Sequence, residues 1–248
     1  MKKNNNFSFD LNDKKMKSKL YCFHHAGGSP LIFKNWEKFY REIEVIPIDI
    51  PNRKKKMNTQ HFEDLVMEAA SEIFEHSNGC KIFIYGHSLG ALFAFQTAYE
   101  LQEKSNEKVK KVFVAGRQAP FESDPCEYKC SEGIEALYKR LIKENEMDKK
   151  TLENIIFKQE FLPLIFDDYR ISEEYIYRGE RLKTRIITLS GSKDIAATCE
   201  IMKLWEKVTT VGIKQYEIEG EHFFPYGENE KTVLNILLSE MREGESAI

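Results

Sequence analysis

The segment Gly86-His87-Ser88-Leu89-Gly90 places a serine between two glycines, each two residues away. It follows the apolar run Lys-Ile-Phe-Ile-Tyr and precedes Ala91-Leu92-Phe93-Ala94-Phe95-Gln96-Thr97-Ala98. A strand that feeds a helix through such a turn is what a nucleophile elbow requires, because glycines let strand and helix pass closely while the serine takes a strained conformation. Ser88 would then stand beside a helix N-terminus, whose free N–H groups favour a developing oxyanion. The plainer alternative is an ordinary tight strand-to-helix turn.

A serine hydroxyl is a poor nucleophile at neutral pH, so it needs a histidine base, and the histidine needs an acid to fix its tautomer. Six histidines are available. His87 lies inside the turn, and His61 and His76 flank a helical stripe and read as solvated. His222, in Glu219-Gly220-Glu221-His222-Phe223-Phe224, follows the last apolar strand and satisfies the order serine, acid, histidine. For the acid, Asp194 in Leu189-Ser190-Gly191-Ser192-Lys193-Asp194 follows the preceding strand. Asp49, Asp167 and Asp168 fit that order less well, and a helix N-cap is the competing role for Asp194. The fourth element is His24-His25-Ala26-Gly27-Gly28-Ser29, where adjacent glycines allow backbone N–H groups to aim inward. The expected oxyanion donors are the N–H groups of Ala26 and Leu89, while His24 and His25 read equally well as packing residues or pocket polars.

These pieces need a scaffold that brings strand ends together. Short apolar runs alternate with amphipathic segments, the pattern of a mostly parallel sheet with helices on both faces. Strands are predicted at 20–24, 45–48, 81–85, 109–115, 185–190 and 213–218. Phe62, Leu65, Val66, Ala69, Ala70, Ile73 and Phe74 form one apolar helical stripe and read as core. Ile201, Leu204, Trp205 and Val208 repeat the pattern, as do Val233, Leu234, Leu237, Leu238 and Met241. Residues 120–182 lack a strand-like run but hold a helical stripe of Ile134, Leu137, Tyr138, Leu141 and Ile142. So long an insertion between strands reads as a helical lid on a single domain. Its aromatics, Phe157, Phe161, Phe166, Tyr169, Tyr175 and Tyr177, either pack the insertion onto the body or together line an apolar tunnel.

The 248 residues suffice for one large domain with a sizeable core. With 37 basic and 40 acidic residues there is no broad positive field for nucleic acid. Five scattered cysteines fit reduced thiols. Cys126 and Cys130, four apart, would lie on adjacent helical turns, but no neighbouring pair completes a metal site. Residues 1–19 carry six lysines against two aspartates and no apolar signal core, so they read as a flexible tail. No run is long enough to span a membrane, and the expected location is the cytoplasm.

Over residues 20–238 the sequence resembles the type II thioesterases that accompany nonribosomal peptide and polyketide synthases, a family that includes chain-releasing thioesterases of fatty acid synthesis. Besides the serine turn, the resemblance rests on Ala26-Gly27-Gly28, on Ala115-Gly116-Arg117-Gln118-Ala119-Pro120, on Ser190-Gly191-Ser192-Lys193-Asp194 with Trp205 downstream, and on Gly220-Glu221-His222-Phe223-Phe224. It implies an α/β-hydrolase fold with a mobile helical lid and hydrolysis of acyl groups from the phosphopantetheine arm of a carrier protein. The expected enzyme is a monomer that requires no metal or redox cofactor. Two departures stand out: His24 replaces a common proline, and Pro51-Asn52-Arg53 replaces a P-G-R turn, with asparagine the residue best able to stand in for glycine at positive φ. Carrier proteins of this resemblance present acidic helices, so Arg53-Lys54-Lys55-Lys56 reads either as a docking patch or as a solvated loop. A small-molecule carboxylesterase or lipase is the competing enzyme. An idle hydrolase fold used for binding is the competing non-enzyme.

Overall fold

Six apolar runs become six strands: β1 (Ser18–Phe23), β2 (Ile43–Ile48), β3 (Lys81–His87), β4 (Val109–Ala115), β5 (Arg185–Gly191) and β6 (Ile213–Ile218). The computed structural model describes residues 18–40, 42–49, 61–104, 109–124, 126–143, 147 and 149–243. The lysine-rich tail up to residue 17, the Pro51-Asn52-Arg53 turn and the basic run at 53–56 lie outside the described residues. The strands pair in the order β2-β1-β3-β4-β5-β6, all parallel. A parallel sheet covered on both faces needs strands that are apolar on both sides, and alternate residues here feed two cores. Tyr21, Phe23, Ile82, Ile84, Val112 and Val114 face one, while Leu20, Cys22, Phe83, Tyr85, Phe113 and Ala115 face the other.

Helices α2 (Phe62–Ser77), α3 (Leu89–Lys104) and α7 (Cys199–Lys203) cover the first face, and α1 (Trp36–Phe39) and α8 (Glu230–Arg242) cover the second. The chain leaves β1 towards β2 and returns to place β3 on the other side of β1, so the direction of winding reverses there. Ligand sites of open parallel sheets lie at such a switch point, outside the carboxyl ends of the strands. This is the mostly parallel sheet with flanking helices expected of an α/β hydrolase.

Between β4 and β5 stand α4 (Ile134–Lys143), α5 (Lys149–Glu153) and α6 (Leu162–Glu174), with no strand among the described residues. The insertion has its own small core of Cys130, Leu137, Leu141, Leu152, Leu162, Ile165 and Tyr169. Tyr175 and Tyr177 instead pack against the main core, and Phe161 is exposed. Tyr175 and Tyr177 thus pack the insertion onto the body, whereas Tyr169 packs within the insertion itself.

Four expectations need correction. Phe74 is 51% exposed although it continues the α2 stripe, because at about 100° per residue it sits a quarter-turn beyond Ile73, off the buried face. Ile134 and Ile142 are likewise exposed at the edges of the α4 stripe. The 201–208 stripe buries Met202, Trp205 and Val208 at intervals of three because α7 tightens into a 3-10 turn, Leu204–Val208. Cys126 and Cys130 do not share a helix, since only Cys130 begins a short 3-10 turn, and none of the five cysteines forms a disulfide.

One buried ionic cluster ties the sheet to α8. Glu240, 1% exposed, accepts from Lys111 at 2.7 Å, Lys214 at 2.6 Å and the Tyr216 hydroxyl at 2.6 Å. Burial works against its charge, yet the hydrogen bonds from Lys111, Lys214 and Tyr216 prevail and bring its pKa down to about 2. A carboxylate whose pKa falls on folding contributes stability above its unfolded value, lost as pH drops towards the folded one. Glu240→Gln should therefore cost about 2 kcal/mol at pH 7, less than a fully orphaned charge because Lys214 reaches solvent. In thermal melts that deficit should shrink between pH 4.5 and about 2; a deficit independent of pH would assign the loss to packing instead.

Candidate active site

The Ser88 backbone is held where side-chain residues seldom go. Its φ is 55°, in the left-handed region, where a non-glycine residue is strained. The turn closes through Ser88 N–H donating to the Ala115 carbonyl and Ala91 N–H donating to the Ser88 carbonyl, both at 2.9 Å. The flanking glycines are sterically required. A Cβ on Gly86 would lie 1.9 Å from the Gly90 carbonyl oxygen, and one on Gly90 would lie 2.3 Å from that of Phe23. Helix α3 starts at Leu89, so the Leu89 N–H is one of the helix-start donors that lack an intrahelical acceptor.

The neighbouring strands β5 and β6 deliver Asp194 and His222. Asp194 Oδ2 lies 2.9 Å from His222 Nδ1, and its Oδ1 accepts the Ala196 and Ala197 N–H groups at 3.1 and 3.2 Å. The N-cap of α7 is Thr198, whose side chain accepts from Ile201 N–H, so Asp194 shapes the approach to that helix with one oxygen and meets the histidine with the other. Burial disfavours the Asp194 charge, but the hydrogen bond and charge of His222 and the two backbone donors outweigh it and hold its carboxyl below the usual range. The His222 ring lies against the turn after β4, its Cε1 3.4 Å from where a Gly116 Cβ would stand. The adjacent Ala115 carbonyl is the one that accepts the Ser88 N–H. All three side chains therefore gather at the carboxyl edge of the sheet.

The loop after β1 completes this edge. Gly28 N–H donates to the His25 carbonyl at 3.0 Å, and Gly27 N–H donates to Asp168 Oδ2 on α6 at 2.6 Å. Both glycine donors are thus engaged, and Ala26 stands directly before them in the loop. Asp168 was considered from sequence only as an acid for the triad. It sits instead beneath this loop, and Asp167 pairs with Arg170.

His87 does more than its place in the turn suggests. Fully buried, it approaches the His222 carbonyl with Nε2 at 3.0 Å and the Tyr226 hydroxyl with Nδ1 at 3.3 Å. Burial, followed by repulsion from His222 and His25, pushes its pKa well below the usual histidine value, so the ring is neutral. A carbonyl only accepts, which places the His87 proton on Nε2 and makes Nδ1 the acceptor of the Tyr226 hydroxyl. Tyr226 in turn lies 3.4 Å from His25 Nδ1. This chain fixes the loop that carries His222. The only local signal for it was a histidine directly before the serine; Tyr226 carried none. His24 is buried, with its Nδ1 2.9 Å from the His25 carbonyl, and His25 stacks edgewise on Phe223.

Beside the site, a cleft of about 640 Å³ runs between the Arg117-Gln118-Ala119-Pro120 segment and α6. It is lined by Arg117, Asp124, Lys129, Arg170 and Glu173, and Tyr175 is the one insertion aromatic on its wall. Leu92, Ala119, Pro120 and Cys130 also line it, so the wall mixes charged and apolar groups. Arg117 donates to the Ser172 hydroxyl, and its carbonyl accepts the indole N–H of buried Trp205 at 2.7 Å, which accounts for that tryptophan. Among the described residues no group of three or more His, Cys, Asp or Glu is gathered to hold a metal, and no helix is long and apolar enough to cross a membrane.

Comparison with known proteins agrees with this architecture. The chain is 31% identical over 220 residues to the linear gramicidin dehydrogenase LgrE of Brevibacillus parabrevis, covering 86% of this chain and 83% of that protein. It is 28% identical to the gramicidin S biosynthesis protein GrsT of Aneurinibacillus migulanus, covering 91% and 90%. Among solved structures, the RedJ thioesterase of the prodiginine pathway in Streptomyces coelicolor superposes with a TM-score of 0.81 at 25% identity, covering 91% of this chain and 86% of that one. The thioesterase domain model itself matches residues 18–240, from the first residue of β1 into α8, and the chain belongs to the thioesterase family.

Proposed function

We propose that the protein hydrolyses acyl thioesters carried on the phosphopantetheine arm of a carrier protein, through an acyl-enzyme on Ser88. The observation that carries this reading is the His222–Asp194 pair at 2.9 Å, set at the strand tips beside a serine strained to positive φ. His222 Nε2 removes the Ser88 proton as Oγ attacks the thioester carbon, and Asp194 stabilises the imidazolium. The Ala26 and Leu89 N–H groups bind the oxyanion. Collapse breaks the C–S bond and His222 returns the proton to the leaving thiol. Water, deprotonated by the same histidine, then cleaves the serine ester and releases the acid. The helical insertion is the lid of this single domain, and the reaction takes place in the cytoplasm. Support comes from the family and from relatives named for gramicidin and prodiginine synthesis.

The dehydrogenase in the name of the Brevibacillus relative is not carried over. Here β1 runs into His24-His25-Ala26-Gly27-Gly28, and the thirteen glycines contain no G-x-G-x-x-G dinucleotide turn. The same triad would also serve an oxygen-ester hydrolase, so matched substrates decide. kcat/KM for a short acyl group on a carrier should exceed that for the same acyl group in an oxygen ester by about 100-fold. A higher value for the ester would move the protein to the carboxylesterases.

A further inference from the structure

The insertion reaches the loop after β1 through one buried carboxylate. Asp168 on α6 is fully buried, and its Oδ2 accepts the Gly27 N–H at 2.6 Å across 141 residues of sequence. A carboxylate taken out of water is costly unless donors meet it, and a bond to a charged acceptor is about twice as strong as a neutral one. The contact is also close sterically. Gly27 has a φ of +75°, and a Cβ there would lie 3.0 Å from Cγ1 of Ile165, one turn before Asp168 on α6. Ala26 packs against both the main core and the core of the insertion. The loop is thus seated where insertion and body meet.

We propose that Asp168 is a positioning residue for hydrolysis: by holding the Gly27 peptide it sets the adjacent Ala26 N–H for the oxyanion, so the loop is competent only while α6 is docked. This rests on the thioesterase reading and on Ala26 as an oxyanion donor. Movement of α6 away from the body would break the bond and relax the loop, and redocking would restore it. The insertion would then gate the chemical step as well as access.

The test compares Asp168→Asn and Asp168→Ala in the full chain, using butyryl-N-acetylcysteamine as the thioester and counting active sites by endpoint fluorophosphonate labelling. An oxyanion donor acts on the transition state, so kcat per active site should fall about 10-fold in Asp168→Asn and about 100-fold in Asp168→Ala, with KM within about twofold. The Gly27 amide should exchange with solvent about tenfold faster in Asp168→Asn. If the alanine variant does not fold, the asparagine variant decides alone. A kcat within about twofold of wild type in Asp168→Asn overturns the proposal, whatever happens to KM or melting temperature. Wild type inactive on the thioester would remove the functional reading and this proposal together. Active wild type, inactive Ser88→Ala and unimpaired Asp168→Asn would remove the Asp168 role alone.

Discussion

Replacing Ser88 with alanine should reduce thioester turnover by at least about 10⁴-fold while leaving the melting temperature within about 2 °C. The large kinetic effect follows from removing the only atom that forms the covalent bond. The small thermal effect follows from the backbone, since alanine inherits the same left-handed φ of 55° and the same N–H bond to the Ala115 carbonyl. The triad acts as a unit, so adding a His222 substitution to Ser88→Ala should lower the rate little further. Steady-state rates with melting curves check both halves. Residual turnover above about 1% of wild type would point to another nucleophile.

The second large effect concerns Asp194, whose two oxygens have separate tasks. Asp194→Asn can keep the carbonyl oxygen on the Ala196 and Ala197 N–H groups, so the turn after β5 should persist. Its amide then faces His222 Nδ1, where the aspartate had stood at 2.9 Å. An amide N–H can only donate, which forces the histidine proton onto Nε2, the nitrogen that must accept from serine. kcat should therefore fall about 10⁴-fold with little loss of stability. Asp194→Ala should lose activity and melting temperature together, because it also abandons the two backbone donors. Comparing the two variants by rate and melt separates tautomer control from turn-building. A loss of kcat no greater than about tenfold in Asp194→Asn would show that His222 does not depend on this carboxylate.

Much of the scaffold could be read from local chemistry. β4, buried from Val112 to Ala115, and β6, a half-buried edge strand, both begin and end where predicted. β3 runs two residues past its apolar stretch because Gly86 and His87 still pair with Val114 and Ala115, and nothing in their side chains announces it. β1 starts earlier than expected for a similar reason, with Lys19 anchored on the His76 carbonyl and near Glu44. The placement of the candidates Ser88, Asp194 and His222 was legible because a strand tip is a local feature and alternation with helices puts the carboxyl ends of parallel strands on one edge. The bonds that hold them were not. His87 meets the His222 carbonyl across 135 residues, and Asp168 meets Gly27 across 141, pairings set by how the loops and α6 fold back onto the sheet edge. Phe74 shows the opposite failure, a residue with the right type and nearly the right angle that packing leaves outside.

The most direct measurement is the intact mass of an acyl-phosphopantetheinyl carrier protein after incubation with the wild-type chain and, in parallel, with Ser88→Ala. The expected result is loss of the acyl mass from the carrier with wild type, leaving the free thiol form, and an unchanged carrier with Ser88→Ala. A carrier that keeps its acyl group with wild type, or loses it equally fast with Ser88→Ala, would contradict carrier-directed hydrolysis through Ser88.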